Sequence, residues 1–323
     1  MKIIDIVYGK EEINEPILIE LINSAPIQRL KGVSQFGIPD EYYHKKGFSR
    51  FEHSIGVLIL LRRLNAKLEE QVAGLLHDVS HTAFSHLIDW VIGDPSKEDY
   101  QDKTLLKTLE ETEISQILKK YGFSPKKIAG IEKFFLLEQR APNLCADRVD
   151  YTLREIASHS REDSIKIFED LKNANGKIIL NSLGSAELFA KYYVNFNKNH
   201  WGSNEVKARF HILAEILKKA LDKKIISFND LMKTDKFILD LLRKSKNREI
   251  LSGLELLKVG FSLENTEGEG ILLKKKFRYI DPEFIYNNSK IVRLSEVSSE
   301  YKKILEIEKN QSLIKEKVLI IKK

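Results

Sequence analysis

The feature that most constrains the fold is a set of metal-ligand side chains placed far apart along the chain: His53, the adjacent His77 and Asp78, and Asp147. Imidazole nitrogens and carboxylate oxygens are the protein ligands of ions such as Zn²⁺, Mn²⁺, Fe²⁺ and Ni²⁺. Four such groups can bind one ion only if the fold brings three separate segments together. Helical bundles build metal sites in this way, from side chains that project inward. The pattern therefore predicts a helical core around one divalent transition metal (Mn, Fe, Ni, Co or Zn).

Apolar periodicity predicts that the segments carrying these ligands are helical, because their Leu- and Ile-rich runs are too long for single strands. After a short strand at 1–8, we expect helices at about 54–68, 70–79, 82–92 (ended by Asp94-Pro95-Ser96), 98–121, 125–138, 141–158, 185–222 and 227–246. A polar loop at 264–270 precedes β-type runs at 271–280, 289–294 and 317–322, with a helix at 297–309. The predicted fold class is mainly α, with a helical catalytic domain at about 1–245 and a small α+β domain at 250–323.

Composition and charge restrict the functional class. The 323 residues are 42% hydrophobic and 31% charged, which is typical of a globular chain. The net charge of +6 suits a phosphate-bearing partner, but it is spread along the chain and indicates nucleic-acid binding only weakly. The single cysteine, Cys145, excludes an intrachain disulfide and is interpreted as a small core residue. With no visible signal peptide and no long apolar run, we expect a cytoplasmic protein without membrane contact.

Two further histidines stand close to the ligand pair. His81 follows His77 by four positions, so both lie on one face if the helix continues. His86 belongs to the next predicted helix, and Asp89, three positions later, can hold its tautomer and raise its basicity. The alternative is that both histidines are structural groups at a helix junction. We favour proton donation to the leaving oxygen of a phosphate ester, which together with the metal predicts metal-assisted hydrolysis.

Several short motifs resemble those of the HD-domain metal-dependent phosphohydrolases, especially the branch of dGTP and dNTP triphosphohydrolases. They are Ser24-Ala-Pro-Ile-Gln-Arg-Leu30, Arg50-Phe-Glu-His-Ser-Ile-Gly-Val57, Ala73-Gly-Leu-Leu-His-Asp-Val-Ser-His81 with Phe84-Ser-His86, and Ala146-Asp-Arg-Val-Asp-Tyr151. The resemblance extends from residue 1 to about 240 and is more specific for the superfamily than for the substrate. It implies an HD-type helical bundle and a nucleotide substrate, and we also expect a homo-oligomer.

The resemblance assigns a role to each candidate residue around the metal. It implies the four ligands already named, and it makes His81 and His86 catalytic with Asp89 as the orienting carboxylate. Arg50 and Arg148 would contact phosphate oxygens, which suits the fixed fork and permanent charge of guanidinium groups. Mg²⁺ could accompany the substrate phosphates.

The resemblance also implies a sugar pocket, and here the sequence departs from the pattern twice. Gln28 and Leu30 would line this pocket, and Tyr151 would pack on the sugar. Glu155 stands where the triphosphohydrolases favour Asp for a sugar hydroxyl, which leaves the preference for a deoxy sugar open. Tyr100 stands where they carry a third catalytic histidine, and a phenol transfers protons less readily near neutral pH. We therefore expect weak or absent triphosphohydrolase activity on standard dNTPs.

Two other functions remain as alternatives. The first is a phosphodiesterase or nuclease acting on cyclic or oligomeric nucleotides. Binuclear phosphodiesterases of this superfamily need extra dispersed histidines, a pattern that His159, His200 and His211 do not show, so one ion is favoured. The second is a non-catalytic nucleotide-sensing protein, against which the presence of all four candidate ligands argues.

Overall fold

A computed structural model of the protein describes residues 1–93, 98–273, 277–287 and 290–322. These residues form a mainly α fold, which confirms the predicted fold class. The helices are α1 Pro16–Asn23, α2 Ala25–Arg29, α3 Arg50–Arg63, α4 Leu68–Leu76, α5 Leu87–Val91, α6 Tyr100–Glu111, α7 Ile114–Lys120, α8 Pro125–Ile128, α9 Ala146–His159, α10 Arg161–Asp170, α11 Leu183–Phe196, α12 Asn204–Asp222, α13 Asp235–Lys244, α14 Arg248–Val259, α15 Leu294–Val297 and α16 Ser299–Ser312. The strands are β1 Lys2–Asp5, β2 Gly9–Glu12, β3 Leu171–Ala174, β4 Lys177–Leu180, β5 Phe261–Asn265, β6 Ile271–Leu273, β7 Glu283–Tyr286, β8 Lys290–Arg293 and β9 Glu316–Lys322.

The amino-terminal segment is a hairpin, so the prediction of one continuous strand at 1–8 was wrong. β1 and β2 pair antiparallel, with Asp5 opposite Gly9. The turn forms because the Asp5 carboxylate accepts hydrogen bonds from the backbone N–H groups of Val7 and Tyr8. Gly9 has a φ of +76°, a conformation that glycine adopts without steric cost.

Helix α3 lies at the centre of the main core and packs against α4 and α9. It starts at Arg50, earlier than predicted, because Ser49 and Glu52 form a capping box at its first turn. It ends at Arg63, before Asn65, whose φ is +57°. Helix α4 ends at Leu76, so the predicted helix at 70–79 stops one residue before His77. The end of α4 and the start of α9 therefore lie beside the first turn of α3, which carries polar residues.

Residues 77–86 form a tight non-helical segment, which corrects two predictions. His81 does not continue the helix of His77, and the predicted helix at 82–92 is reduced to α5. The physical reason is the backbone of Phe84 and Ser85, whose φ values of +61° and +52° are incompatible with a right-handed helix. The predicted stop at 94–96 lies outside the described residues.

Two distant side chains hold this segment in place. The Arg29 guanidinium donates to the carbonyl oxygens of Val79 at 3.0 Å and of His81 at 2.7 Å. The buried carboxylate of Asp235 accepts from the backbone N–H of Phe84 at 2.7 Å and from that of Ser34 at 2.9 Å. These contacts satisfy backbone groups that a helix would otherwise have paired.

Other predicted helices are present with different bounds. The predicted helix at 98–121 is two helices, α6 and α7, and the one at 125–138 is the short α8 followed by turns. The predicted helix at 141–158 begins only at Ala146. A π-helical turn, Asn197–Trp201, separates α11 from α12 in the predicted 185–222 helix, and a 3₁₀ turn precedes α13 in the 227–246 segment. The elements that the sequence did not predict are α1, α2, α10, α14, α15, β2, β5, β7 and the β3–β4 hairpin.

Strands from the carboxyl-terminal part complete the fold. β9 pairs with β5 and β6, and α16 overlaps the predicted helix at 297–309 but ends three residues later, at Ser312. A second sheet has the order β3-β4-β7-β8, and it joins β4 in parallel to β7 through Leu180 and Phe284. This sheet contains strands from both predicted domains, so the division into 1–245 and 250–323 stays a prediction. Parts of the predicted β runs at 274–276 and 289 lie outside the described residues. No helix within the described residues is long and apolar enough to cross a membrane.

Candidate active site

The structure brings the four predicted metal ligands together. His53 Nε2 lies 2.9 Å from Asp147 Oδ1, 3.3 Å from His77 Nε2 and 3.6 Å from Asp78 Oδ2. His77 Nε2 lies 3.4 Å from Asp78 Oδ1 and 3.7 Å from Asp147 Oδ1. Ligands on an ion with bonds of about 2.1 Å stand about 3.0 Å apart at right angles and about 3.4 Å apart at tetrahedral angles. The observed distances therefore fit a single divalent ion.

Hydrogen bonds on the far side of each imidazole fix which nitrogen faces this centre. His53 Nδ1 donates to Asp150 Oδ2 at 2.7 Å, and His77 Nδ1 donates to the carbonyl oxygen of Gly74 at 2.7 Å. Each Nε2 therefore directs its lone pair toward the two carboxylates, as partner groups of metal-binding histidines commonly arrange. Lone pairs that face carboxylates repel one another unless a cation lies between them, so the donor chemistry fits a metal ion.

The charges in the site also favour a cation. Burial opposes charge on His77, but the carboxylates of Asp78 and Asp147 outweigh it and raise the pKa of His77 to about 9. Burial likewise opposes ionisation of Asp147, yet His53 and His77 hold the pKa of its carboxyl well below its usual range. Without a metal, the site therefore compensates its two carboxylates with protons on imidazole.

Asp150, which the sequence reasoning did not single out, anchors the imidazole of His53. Its fully buried carboxylate also accepts from Arg154 Nε at 2.9 Å and from the Tyr8 hydroxyl at 2.7 Å. Arg154 in turn pairs with Asp5 at 2.7 Å, so the chain of charges runs from the amino-terminal hairpin to the metal ligand. The signal for Asp150 was its position three residues after Asp147, almost one turn along the same helix.

Gly56 allows α3 to approach this network. A Cβ atom at Gly56 would lie 1.9 Å from Asp150 Oδ1 and 2.0 Å from an Arg154 terminal nitrogen, well inside van der Waals contact. Gly56 is therefore required because the Asp150–Arg154 ion pair on α9 leaves no room for a Cβ atom. Helix geometry does not require it, since glycine weakens a helix interior.

The guanidinium of Arg50 and the imidazole of His81 orient the Asp78 carboxylate. Arg50, which is almost fully buried, donates to Asp78 Oδ2 at 2.7 Å, to Ser85 Oγ at 3.0 Å and to the Gln35 carbonyl at 3.1 Å. His81 Nε2 lies 3.2 Å from Asp78 Oδ1. Burial and the charge of Arg50 lower the pKa of His81, so its neutral ring donates through Nε2. His81 thus lies behind a metal ligand, whereas Arg50 also reaches the cavity described below.

His86 is the predicted catalytic histidine that faces open space. Its side chain is 29% exposed and lines the cavity above the ligands. Asp89 Oδ2 lies 3.9 Å from His86 Nδ1, which is ion-pair range but longer than a hydrogen bond. Asp89 Oδ1 accepts from the backbone N–H of Tyr100 at 3.2 Å. Tyr100 packs its ring against Phe228 and is absent from the cavity walls in the described part of the chain.

A cavity of about 240 Å³ opens above Asp147. Aromatic rings form much of its wall, namely Phe36, Tyr43, Tyr151, Trp201 and Phe210, together with His200. Its charged and polar groups include Gln35, Arg50, His86, Glu98, Asp147 and Arg278. A wall that combines aromatic rings with converging polar groups is typical of a small-molecule site.

Four residues predicted to bind substrate lie outside this wall. Gln28 donates to the carbonyl oxygen of Ile22 at 2.6 Å, and Leu30 is fully buried in the main core. Arg148 points away and donates to the Asn143 carbonyl at 2.6 Å and to Cys145 Sγ at 3.3 Å. Glu155 lies behind the wall, bound to two of its rings. Tyr151 lines the cavity, with its ring 5.1 Å from that of Trp201.

A second group of possible metal ligands, Glu138, Cys145 and Asp147, adjoins the first. Burial raises the pKa of the Cys145 thiol to about 12, so it stays protonated and is a poor ligand. The guanidinium of Arg148 also contacts its sulfur. A cation would be repelled there, and Cys145 is fully buried, in keeping with the prediction of a core residue.

Arg278 is a cavity residue that sequence reasoning missed. It belongs to the carboxyl-terminal part of the chain and donates to the Glu98 carboxylate, with one contact at 2.6 Å. Both residues line the cavity. No sequence motif around Arg278 indicates a role in the cavity. The residue reaches the cavity because the carboxyl-terminal part of the chain packs against the helical core.

Comparison with known proteins assigns this fold and site to a class. The HD domain family matches residues 50–220, which include all four metal-ligand candidates. The chain belongs to the HD-domain family and is a metal-dependent phosphohydrolase of that family.

The chain is similar to the uncharacterized protein YdhJ of Bacillus subtilis, with 39% identity over 94% of each chain. It is 37% identical to the metal-dependent phosphohydrolase cns2 of Cordyceps militaris over 62% of this chain and 60% of cns2. It is 38% identical to the deoxynucleoside triphosphate triphosphohydrolase SAMHD1 of Bos taurus over 28% of this chain and 18% of SAMHD1. A crystal structure of a phosphohydrolase from Bacteroides thetaiotaomicron has the same fold, with a TM-score of 0.72, 18% identity and full coverage of both chains.

Proposed function

We propose that this phosphohydrolase acts on nucleotides, with the phosphate at the metal and the nucleoside in the aromatic cavity. The observation that carries the proposal is the convergence of four candidate ligand side chains at the edge of a cavity that is lined in part by aromatic rings. Aromatic faces accept any nucleobase by stacking. The similarity of one segment to a triphosphohydrolase of deoxynucleoside triphosphates points to the same substrate class.

His53, His77, Asp78 and Asp147 would hold the ion, a divalent transition metal, which would polarise a phosphoryl oxygen and lower the pKa of a bound water. The chain's own residues supply the remaining parts. His86 faces the cavity and can give a proton to the leaving oxygen, while Asp89 lies within ion-pair range to stabilise the charged ring. Arg50 and Arg278 line the cavity and offset negative charge on the phosphate.

Arg50 and Arg278 differ in how freely they can contact a substrate phosphate. Arg50 is already bonded to Asp78, Ser85 and the Gln35 backbone, so it contributes a fixed positive charge. Arg278 pairs with Glu98 at the cavity wall. A substrate phosphate would compete with that carboxylate for the same guanidinium, so Arg278 is the better candidate for direct contact.

The test is a hydrolysis screen of the purified protein with Mn²⁺, Mg²⁺, Co²⁺ and Ni²⁺, with products identified by mass. Substrates are nucleoside mono-, di- and triphosphates, cyclic nucleotides and single-stranded oligonucleotides. Asp147→Asn should abolish both metal binding and turnover, whereas Asp240→Asn, an exposed carboxylate paired with Lys236, should change neither. Preferential cleavage of cyclic or oligomeric substrates would support the phosphodiesterase alternative instead. A metal-loaded protein that hydrolyses no nucleotide would contradict the proposal.

A further inference from the structure

Glu155 was expected to contact a sugar hydroxyl, but the structure commits both of its carboxylate oxygens to the protein. Oε1 accepts from His200 Nδ1 at 2.5 Å, and Oε2 accepts from Trp201 Nε1 at 2.5 Å. The side chain is buried, and it is not part of the cavity wall within the described residues. Glu155 therefore acts through the two rings that it holds.

The imidazole of His200 is the ring that Glu155 places in the wall. His200 is 2% exposed and belongs to the π-helical turn Asn197–Trp201, a geometry often found at functional sites. Tyr43 stacks on its face at 5.5 Å, and Phe36 meets it edge-on at 4.6 Å. These contacts leave the ring little freedom to rotate, so its polar atoms have fixed positions.

Several polar atoms on residues of the cavity wall have no hydrogen-bond partner among the described residues. With Nδ1 bound to Glu155, no described residue forms a hydrogen bond with Nε2 of His200. Gln35 Oε1, Tyr43 Oη and His86 Nδ1, which belong to other wall residues, are buried and without a hydrogen bond among the described residues. Buried polar atoms without partners are rare and costly, and here three of them belong to residues that line the same cavity as His200.

We propose that His200 Nε2 is the hydrogen-bond acceptor that selects the nucleoside portion of the substrate, and that Glu155 is its positioning residue. This inference rests on the proposed function. The Glu155 carboxylate can only accept, so it keeps an imidazole proton on Nδ1, and in the neutral ring Nε2 then carries the lone pair. The atom that His200 recognises is therefore a hydrogen-bond donor, either a sugar hydroxyl or a base amino group.

The second partner of Glu155 makes the tautomer testable. Trp201 Nε1 can only donate, so a glutamine at position 155 must turn its amide oxygen toward Trp201. Its amide N–H₂ then faces His200 Nδ1, which must accept, and the imidazole proton moves to Nε2. Glu155→Gln thus keeps the shape of the site but changes Nε2 from an acceptor into a donor.

The experiment measures binding of non-hydrolysable nucleosides to the metal-loaded protein by calorimetry, and kcat and KM on the matching 5′-monophosphates. Adenosine is compared with 2′,3′-dideoxyadenosine, which lacks the sugar hydroxyls, and with inosine, which replaces the amino group by a carbonyl. The variants are His200→Phe, which keeps an aromatic ring, and Glu155→Gln. The control is His211→Phe, on α12 and not part of the cavity wall in the described residues. Metal content and melting temperature are recorded for each.

We expect the unmodified protein to prefer adenosine over one of the two analogues by roughly tenfold, which identifies the donor as hydroxyl or amino. His200→Phe should abolish this preference, and Glu155→Gln should abolish it or reverse it toward the acceptor-bearing analogue. His211→Phe should keep it. Because Glu155→Gln preserves shape, it remains informative if His200→Phe folds poorly.

Two results would overturn the inference: an unmodified protein that binds the three nucleosides equally or not at all, or variants that keep its preference. Failure of the proposed function gives a different result. In that case the nucleosides bind with a preference that depends on His200, but none of the monophosphates or triphosphates is hydrolysed. Nucleotide hydrolysis with unchanged discrimination in both variants would refute only the inference.

Discussion

Asp150→Asn tests whether the network behind the metal ligands controls metal affinity. The new amide could still accept from His53 Nδ1 and Arg154 Nε through its oxygen and face the Tyr8 hydroxyl with its nitrogen, so the number of hydrogen bonds is preserved. What disappears is the negative charge that polarises the His53 ring. Loss of such a partner typically weakens metal binding about 10–100-fold, which corresponds to roughly 1.4–2.7 kcal/mol.

The same change should also lower the free energy of unfolding of the metal-free protein. Arg154 is almost fully buried and is held by the carboxylates of both Asp150 and Asp5. Removing one partner of a buried pair costs about 3–5 kcal/mol when the remaining charge is left alone. Because Asp5 still pairs with Arg154, we expect the lower end of that range or less. Metal affinity is measured by competition with a chelator, and stability by denaturant unfolding with and without metal.

Asp5→Asn is the matched control, because it removes a charge from the other side of Arg154 without touching His53. Its oxygen can keep the turn contacts to Val7 and Tyr8, so it should destabilise the fold and leave metal affinity within about threefold of the unmodified protein. Equal losses of metal affinity in both variants would refute the reasoning, since the effect would then pass through general stability. An unchanged affinity in Asp150→Asn would refute it as well.

Four other outcomes are expected. His86→Ala should lower kcat by about 10²–10⁴-fold with metal retained. His81→Ala changes a residue behind Asp78 and should mainly weaken metal binding, by about 10–100-fold. Enzyme kinetics and elemental analysis of bound metal separate the two effects. Gly56→Ala places a methyl group 1.9 Å from a carboxylate oxygen and should destabilise the protein by at least about 1–3 kcal/mol in thermal unfolding, whereas Gly184→Ala, with no atom within 4 Å, should not. Because the pKa of His77 is raised to about 9, a proton must leave before metal binds, and apparent metal affinity should fall about tenfold per pH unit between pH 9 and 7; a flat profile would contradict the assignment. By the same shift, the bound proton stabilises the metal-free fold fully below about pH 6.5, and this contribution should be lost as pH rises through about 9.

The sequence predicted the helical class and the residues that converge on the candidate metal centre, because apolar runs and short motifs can each be recognised within a short stretch of sequence. His77 and Asp78 are adjacent, and the apolar run before them has a helical length. The segment that follows could not be predicted. Its turn at Phe84 and Ser85 depends on Asp235, which lies about 150 positions later and has no sequence signal that links it to them.

The cavity wall shows the same limit. Residue types and family motifs predicted that Gln28 lines the pocket, whereas the glutamine that lines the cavity is Gln35. Arg29, between the two predicted pocket residues, turned out to clamp the backbone of the ligand segment. For Glu155, the sequence identified an unusual carboxylate but could not show that a π-helical turn 45 positions later occupies both of its oxygens. Contacts between distant segments decide such roles, and a single sequence does not encode them in a readable pattern.

The joining of β4 to β7 has a consequence for the order in which the protein matures on the ribosome. All four candidate metal ligands are made by residue 147, but the strand that pairs with β4 and the arginine in the cavity wall are made about 130 residues later. At about 5–20 residues per second, this delay lasts roughly 7–26 s. All four candidate donors are therefore synthesised before Arg278 can join the cavity wall, so an ion bound in that interval would reflect metal availability during synthesis as well as the preference of the finished site.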